Sequence, residues 1–344
     1  MKRIFKALFL LSAFIGLLCF LAEAAEAVRE GLRICGVSVI PALFPFFVLT
    51  KYLIGSCRTK APSRLADRVM LRCFGLSGNC ALPLLLSFLG GYPVGASCAA
   101  EQYQKGAISK QEAERLLLFC NNSGPAFFLG VIGGVVLQNI RTAMLLYLSH
   151  VLAALCCGML FRSAKAESAV LRRVPTGEKS GGGFLQAVSA SCAALLQISG
   201  LILFFSALLA VFEASGAFSV LIRMLPFAPP QELRAVLCGF FELSSGIVRL
   251  TACENAPLLC SLLMGWGGIC VHLQAMSFWL PCKLRPHGYP AAKLLHGALS
   301  VLFTAFFLSP TPALAAVAAG TAAVCAIFPQ IRQKWGRNPA RHTV

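Results

Sequence analysis

Residues 81–100 read ALPLLLSFLGGYPVGASCAA, an apolar stretch cut in its middle by Gly90, Gly91 and Pro93. Two glycines and a proline so close together end a helix. The arms that remain are about nine residues each, or roughly 13 Å at the helical rise. An arm of that length reaches only about halfway through a hydrocarbon core of roughly 30 Å. The stretch therefore predicts a re-entrant helical hairpin and not a simple span.

The rest of the chain supplies the membrane for it. Of 344 residues, 58% are hydrophobic and 12% charged, a balance that water-soluble domains do not show. Apolar runs near 4–22, 34–55, 119–138, 142–161, 185–212, 256–280, 291–309 and 311–329 each approach the roughly 20 residues a spanning helix needs, which makes about eight spans. The 30 Lys+Arg outnumber the 13 Asp+Glu, but they sit in the connectors between apolar runs, as membrane orientation requires and nucleic-acid binding does not.

The basic residues set the topology. Lys2, Arg3 and Lys6 place the N-terminus in the cytoplasm, although the same run followed by Ala-Glu-Ala also reads as a signal peptide. Cytoplasmic connectors then hold Arg58, Lys60, Arg64, Arg68 and Arg72; Lys105, Lys110 and Arg115; and Arg162, Lys165, Arg172, Arg173 and Lys179. Lys283 and Arg285, with the tail residues Arg332, Lys334, Arg337 and Arg341, fall on the same face. Both termini are expected inside.

A second interrupted segment, AVLCGFFELSSGIVRLTAC at 235–253, enters from outside by this count. Each half of the chain thus carries a hairpin followed by a polar, glycine-rich span, with the hairpins entering from opposite sides. That is the inverted-repeat plan of secondary transporters. The expected organisation is an N-terminal span and external connector (1–33), a first half (34–161), a cytoplasmic linker (162–183), a second half (184–309) and a last span with a basic tail (310–344).

Backbone freed from helical bonding at membrane depth must be buried in protein or line a wet cavity, so the breaks are the candidate solute site. The hairpin tip offers Gly91, Tyr92 and Pro93. The segment FCNNSGP at 119–125 places Asn121, Asn122, Ser123 and Gly124 before a proline suited to a first helical turn; helix capping is the competing explanation. In the second half, Ser244, Ser245 and Gly246 follow Glu242, an intramembrane acid and so a candidate for solute contact, ion coupling or gating. Pairing with Arg249 is its structural alternative. Gly268, His272 and Gln274 lie in GWGGICVHLQ at 265–274, and His150 reads as ordinary packing.

Sixteen cysteines show neither CxxC nor zinc-type spacing and read as small packing residues. Phosphate-loop, zinc-protease and serine-hydrolase motifs are absent, and the acids are scattered over connectors. Neither an enzyme nor a cofactor is expected.

Gly90-Gly-Tyr-Pro-Val-Gly-Ala96 together with Gly106–Pro125 closely resembles the YlbJ (SpoVV) family of sporulation integral membrane proteins, and FELSSGI at 241–247 and GGICVHLQ at 267–274 resemble its second-half motifs. The resemblance covers roughly residues 30–310. It implies the nucleoside-recognition, or Gate, architecture, similar to that of concentrative nucleoside transporters. It also implies passage of dipicolinic acid across the outer forespore membrane. Nothing in composition or spacing shows that substrate. A nucleoside carrier and a non-transporting part of spore-envelope assembly remain open, as do oligomer formation and a coupling cation or proton.

Overall fold

The computed structural model describes residues 2–56, 62–162, 183–225, 228–321 and 323–324. Most of the linker expected at 162–183, the basic residues Arg58 and Lys60, and the C-terminal basic tail lie outside the described residues. Among the described residues the secondary structure is entirely helical.

The helices are α1 (Lys2–Cys19), α2 (Leu21–Ile34), α3 (Ile40–Ser56), α4 (Arg64–Phe74), α5 (Ala81–Gly90), α6 (Val94–Gln104), α7 (Lys110–Leu117) and α8 (Pro125–Phe127, continued as a π-helical run to Val136). After these come α9 (Ile140–Leu160), α10 (Phe184–Ala214), α11 (Ala217–Arg223), α12 (Pro230–Phe241), α13 (Leu243–Arg249), α14 (Ala256–Trp266), α15 (Gly268–Trp279) and α16 (Tyr289–Leu308).

Four stretches are long and apolar enough to cross a membrane: Ile140–Leu160, Phe184–Ala214, Ala256–Trp279 and Tyr289–Leu308. Two bent pairs, Leu11–Cys19 with Leu21–Val37 and Arg64–Phe74 with Gly78–Gly90, raise the number to six. The sequence leads one to expect about eight, and the difference has identifiable causes. The first apolar run turns by 92° between α1 and α2. The run at 119–138 stays extended through Gly124 and becomes helical only at Pro125. The last is described as a short helix, Pro312–Thr321.

Both interrupted segments fold as helical hairpins. In the first, α5 and α6 pack together around a break at Gly91–Pro93, where Gly91 has φ +76°, a backbone conformation open to glycine and strained for other residues. In the second, α12 and α13 are broken only at Glu242. Their arms touch through glycine, since a Cβ on Gly246 would fall 2.2 Å from the Gly239 Cα. The helices α9, α14 and α16 pack side by side. Small residues bring two of them close, a Cβ on Gly265 falling 2.4 Å from the Gly297 Cα.

The amphipathic connector helix α7 begins with the capping box read in the sequence. The Ser109 hydroxyl accepts from Glu112 N at 3.2 Å and the Glu112 carboxylate from Ser109 N at 2.8 Å. Glu112 also accepts from Ser77 N at 2.8 Å, which ties α7 to the start of the first hairpin. Burial raises the pKa of this carboxyl, but the hydrogen bonds from Ser109 and Ser77 outweigh it and hold the group below its ordinary value.

Candidate functional site

The first hairpin rests on the extended break that follows α7. A Cβ on Gly95 would lie 1.8 Å from the Cys120 carbonyl oxygen, and one on Gly91 would lie 2.9 Å from Gly124 N. Asn122 fastens the contact by donating to Ser87 Oγ at 3.0 Å and to Phe119 O at 2.8 Å. Asn121, Asn122 and Ser123 are all buried. The helix that begins at Pro125 has no side-chain cap, so capping does not account for these three polar residues.

The second hairpin rests on the break between α14 and α15 in the same manner. Gly267 has φ +91° and Gly268 φ +79°. A Cβ on Gly268 would meet Gly239 O at 3.0 Å and Leu243 N at 3.1 Å. The Trp266 indole stacks on Phe240 and donates to its carbonyl at 3.1 Å. Glu242 caps α13, its two oxygens accepting from Ser244 N at 3.0 Å and Ser245 N at 2.7 Å. The alternative pairing with Arg249 does not form: Arg249 instead faces Glu213 at 3.6 Å, and Glu213 also binds Arg234 at 3.1 Å.

The halves meet at the tip of the first hairpin. The Tyr92 hydroxyl donates to the carbonyl of Met264, and its ring lies against Gly267. Asn121 Nδ2 donates to the Tyr289 hydroxyl at 2.8 Å, and Tyr289 in turn lies 3.2 Å from His272 Nδ1. Of the residues the sequence singles out, Tyr92, Asn121, Ser123 and His272 are thus drawn together. Pro93 shares the tip with Tyr92. Ser244, Ser245 and Gly246 serve the second hairpin itself, and Gln274 bonds Cys270 Sγ on its own helix.

At the centre stands a residue the sequence reading passed over. Lys293, on α16, is fully buried. Its Nζ donates to the Asn121 carbonyl at 2.8 Å, lies 3.0 Å from His296 Nδ1 and sits over the Tyr92 ring at 5.6 Å. His296 Nε2 is 3.0 Å from the His150 carbonyl, the two imidazoles are 4.4 Å apart, and His150 Nε2 accepts from Ser123 N at 3.1 Å. His150 is therefore part of the cluster and not ordinary packing. Lys293 and His296 are three residues apart on one helical face, a spacing visible in the sequence, but a lysine near the start of an apolar run more often snorkels to water.

Several buried polar atoms here lack partners: Asn121 Oδ1, Asn122 Oδ1, His150 Nδ1 and His272 Nε2. Native interiors leave few such atoms, and each calls for an explanation. A cavity of about 460 Å³ lies between α3, α6, α10 and α15, with Lys51, Ser97, Glu101, Lys105, Gln186 and Ser277 among its lining. No group of three or more metal-binding side chains occurs among the described residues.

Apolar helices of spanning length, packed around helix breaks and buried polar residues, define an integral membrane protein. The chain is similar to the sporulation integral membrane protein YlbJ of Bacillus subtilis (strain 168), with 28% identity over 316 residues covering 83% of this chain and 78% of that protein. The resemblance carried by the hairpin and break motifs thus extends along most of the chain. No family model matches it, and no solved structure does.

Proposed function

We propose that the protein is a sporulation membrane transporter that carries a small anionic metabolite, dipicolinic acid first among them, across the outer forespore membrane by alternating access. The observation that carries this reading is Lys293, a buried cation bonded to the broken backbone at Asn121. An ionisable group at membrane depth is a functional candidate by default, and a lysine without a carboxylate partner is suited to an anion. The unpartnered His272 Nε2 and His150 Nδ1 add donor capacity beside it.

The order of elements supports two related halves: hairpin α5–α6 then a broken span, and hairpin α12–α13 then a broken span. In this reading the halves are inverted repeats, the hairpins enter from opposite faces, and both termini are cytoplasmic, as the basic connectors require. The cavity beside α6 is the approach from the cytoplasmic face, with Lys51 and Lys105 against Glu101 giving it a basic character. The similarity to a sporulation protein supports the cellular role, and the family resemblance supplies the substrate.

The deciding measurement is dipicolinate uptake into vesicles holding the purified protein, against protein-free vesicles and with uridine as competitor. Saturable uptake that uridine does not inhibit is expected. Uptake of uridine alone would assign a nucleoside carrier, and uptake of neither would favour a role in envelope assembly.

A further inference from the structure

Lys293 has no carboxylate within 4.0 Å among the described residues. The hydrogen-bond partners around it also fix where protons sit. The His150 carbonyl only accepts, so His296 Nε2 carries a hydrogen, and in the uncharged ring His296 Nδ1 is left as the acceptor that faces Lys293. His150 Nε2 accepts from Ser123 N, which leaves that ring's hydrogen on the unpartnered Nδ1.

The elements around the amine bring no acid to neutralise it. The cluster's α9 side chain is His150, α15 brings His272, and the first hairpin brings Tyr92. Lys293's own helix adds Tyr289 and His296, and its remaining titratable neighbours are the thiols of Cys120 and Cys157. From α14, which also packs along α16, the side chain bonded across is Ser261, to Thr304 at 2.7 Å. An ammonium sealed in such surroundings costs several kcal/mol unless an anion joins it.

We infer that Lys293 is a proton-coupling site: the amine takes up one proton as the solute anion binds and releases it as the anion leaves, so that anion and proton cross together. This rests on the anion-carrier reading. The proton adds to the Nζ lone pair from water on the side of entry and returns to water on the side of release. Asn121 O and His296 Nδ1 hold two of the ammonium hydrogens, and the third is free for the solute.

The test is proton uptake by the purified full-length protein in weakly buffered detergent solution, read with a pH indicator while dipicolinate is added at a pH where it is fully ionised. Binding is scored in parallel by equilibrium dialysis. The expected result is about one proton taken up per dipicolinate bound, with Lys293→Arg binding dipicolinate but taking up none, because a guanidinium is always charged. Binding by the native protein without proton uptake overturns the coupling and leaves the carrier reading standing. Proton uptake that persists in Lys293→Arg overturns the assignment to Lys293. Absence of dipicolinate binding overturns both. If Lys293→Arg does not fold, the native protein still decides on coupling, and vesicle uptake driven by an inward proton gradient supplies the second readout.

Discussion

The Tyr92 hydroxyl, at the tip of the first hairpin, donates to the Met264 carbonyl in the last turn of α14, three residues before the break at Gly267. One hydrogen bond thus joins the interruption in the first half of the chain to the interruption in the second. Tyr92→Phe keeps the ring over Lys293 and removes the bond, which contributes about 1 kcal/mol. Dipicolinate uptake in vesicles is expected to fall by about fivefold, the factor that energy sets, while the protein inserts normally. Uptake at the native rate would separate the hairpin tip from the transport step.

Lys293→Met keeps the length and apolar stem of the side chain and deletes the charge. Replacing a buried ion by an apolar group of similar volume is often neutral or stabilising, so thermal stability in detergent should be unchanged or higher. Uptake should drop more than about tenfold, the loss expected when a charge-assisted hydrogen bond of about 1.5–3 kcal/mol is removed from a site. Loss of stability in step with loss of uptake would make Lys293 a structural residue instead.

What the sequence reveals and what it conceals divide along one physical line. The first hairpin is legible because Gly90, Gly91 and Pro93 act on their own backbone, and so is the break at 120–124, where polar residues precede Pro125. The second hairpin is visible at 235–253, but its arms run 230–241 and 243–249: Glu242 alone ends one helix and caps the next. Lys293, His296, Tyr289 and His150 act through partners 27 to 172 positions away, and no local pattern reports such a meeting. The bend between α1 and α2 was equally hidden, since no proline or glycine lies at Phe20.

Gly95→Ala tests the seat of the first hairpin. The new methyl would stand 1.8 Å from the Cys120 carbonyl oxygen, and backbone cannot yield as a side chain can. The hairpin must then separate from the break, with the severe loss of stability that core overpacking brings. The expected outcome is little monodisperse protein after extraction. Gly130→Ala, where nothing lies within 4 Å, should behave as the native chain does, and equal yields from the two would show that this contact is dispensable.

Glu112 carries a pH dependence whose sign can be worked out. Its pKa in the folded protein is held below the ordinary value, so it stabilises fully above the unfolded glutamate value of about 4.3. That contribution fades as the pH falls below this value through the depressed one. Glu112→Gln should therefore lower the melting temperature in detergent at pH 7 and narrow its gap from the native protein as the medium is acidified below about 4.3. A gap that stays constant with pH would mean that the carboxylate's charge is not what stabilises the cap.

Glu242 presents two separable roles, because one carboxylate both caps α13 and stands as the acid of the second hairpin. In the structure its two oxygens each hold a backbone N–H. A glutamine retains one acceptor oxygen, whereas alanine retains none. If the cap is the whole of its role, Glu242→Ala should cost about 1 kcal/mol, Glu242→Gln less, and uptake should decline in the same order with its dependence on sodium and on proton gradient unchanged. That graded result is expected, since coupling lies with Lys293 in the scheme above. A Glu242→Gln protein of native stability whose uptake no longer responds to the ion gradient would move the coupling role from α16 to the tip of the second hairpin.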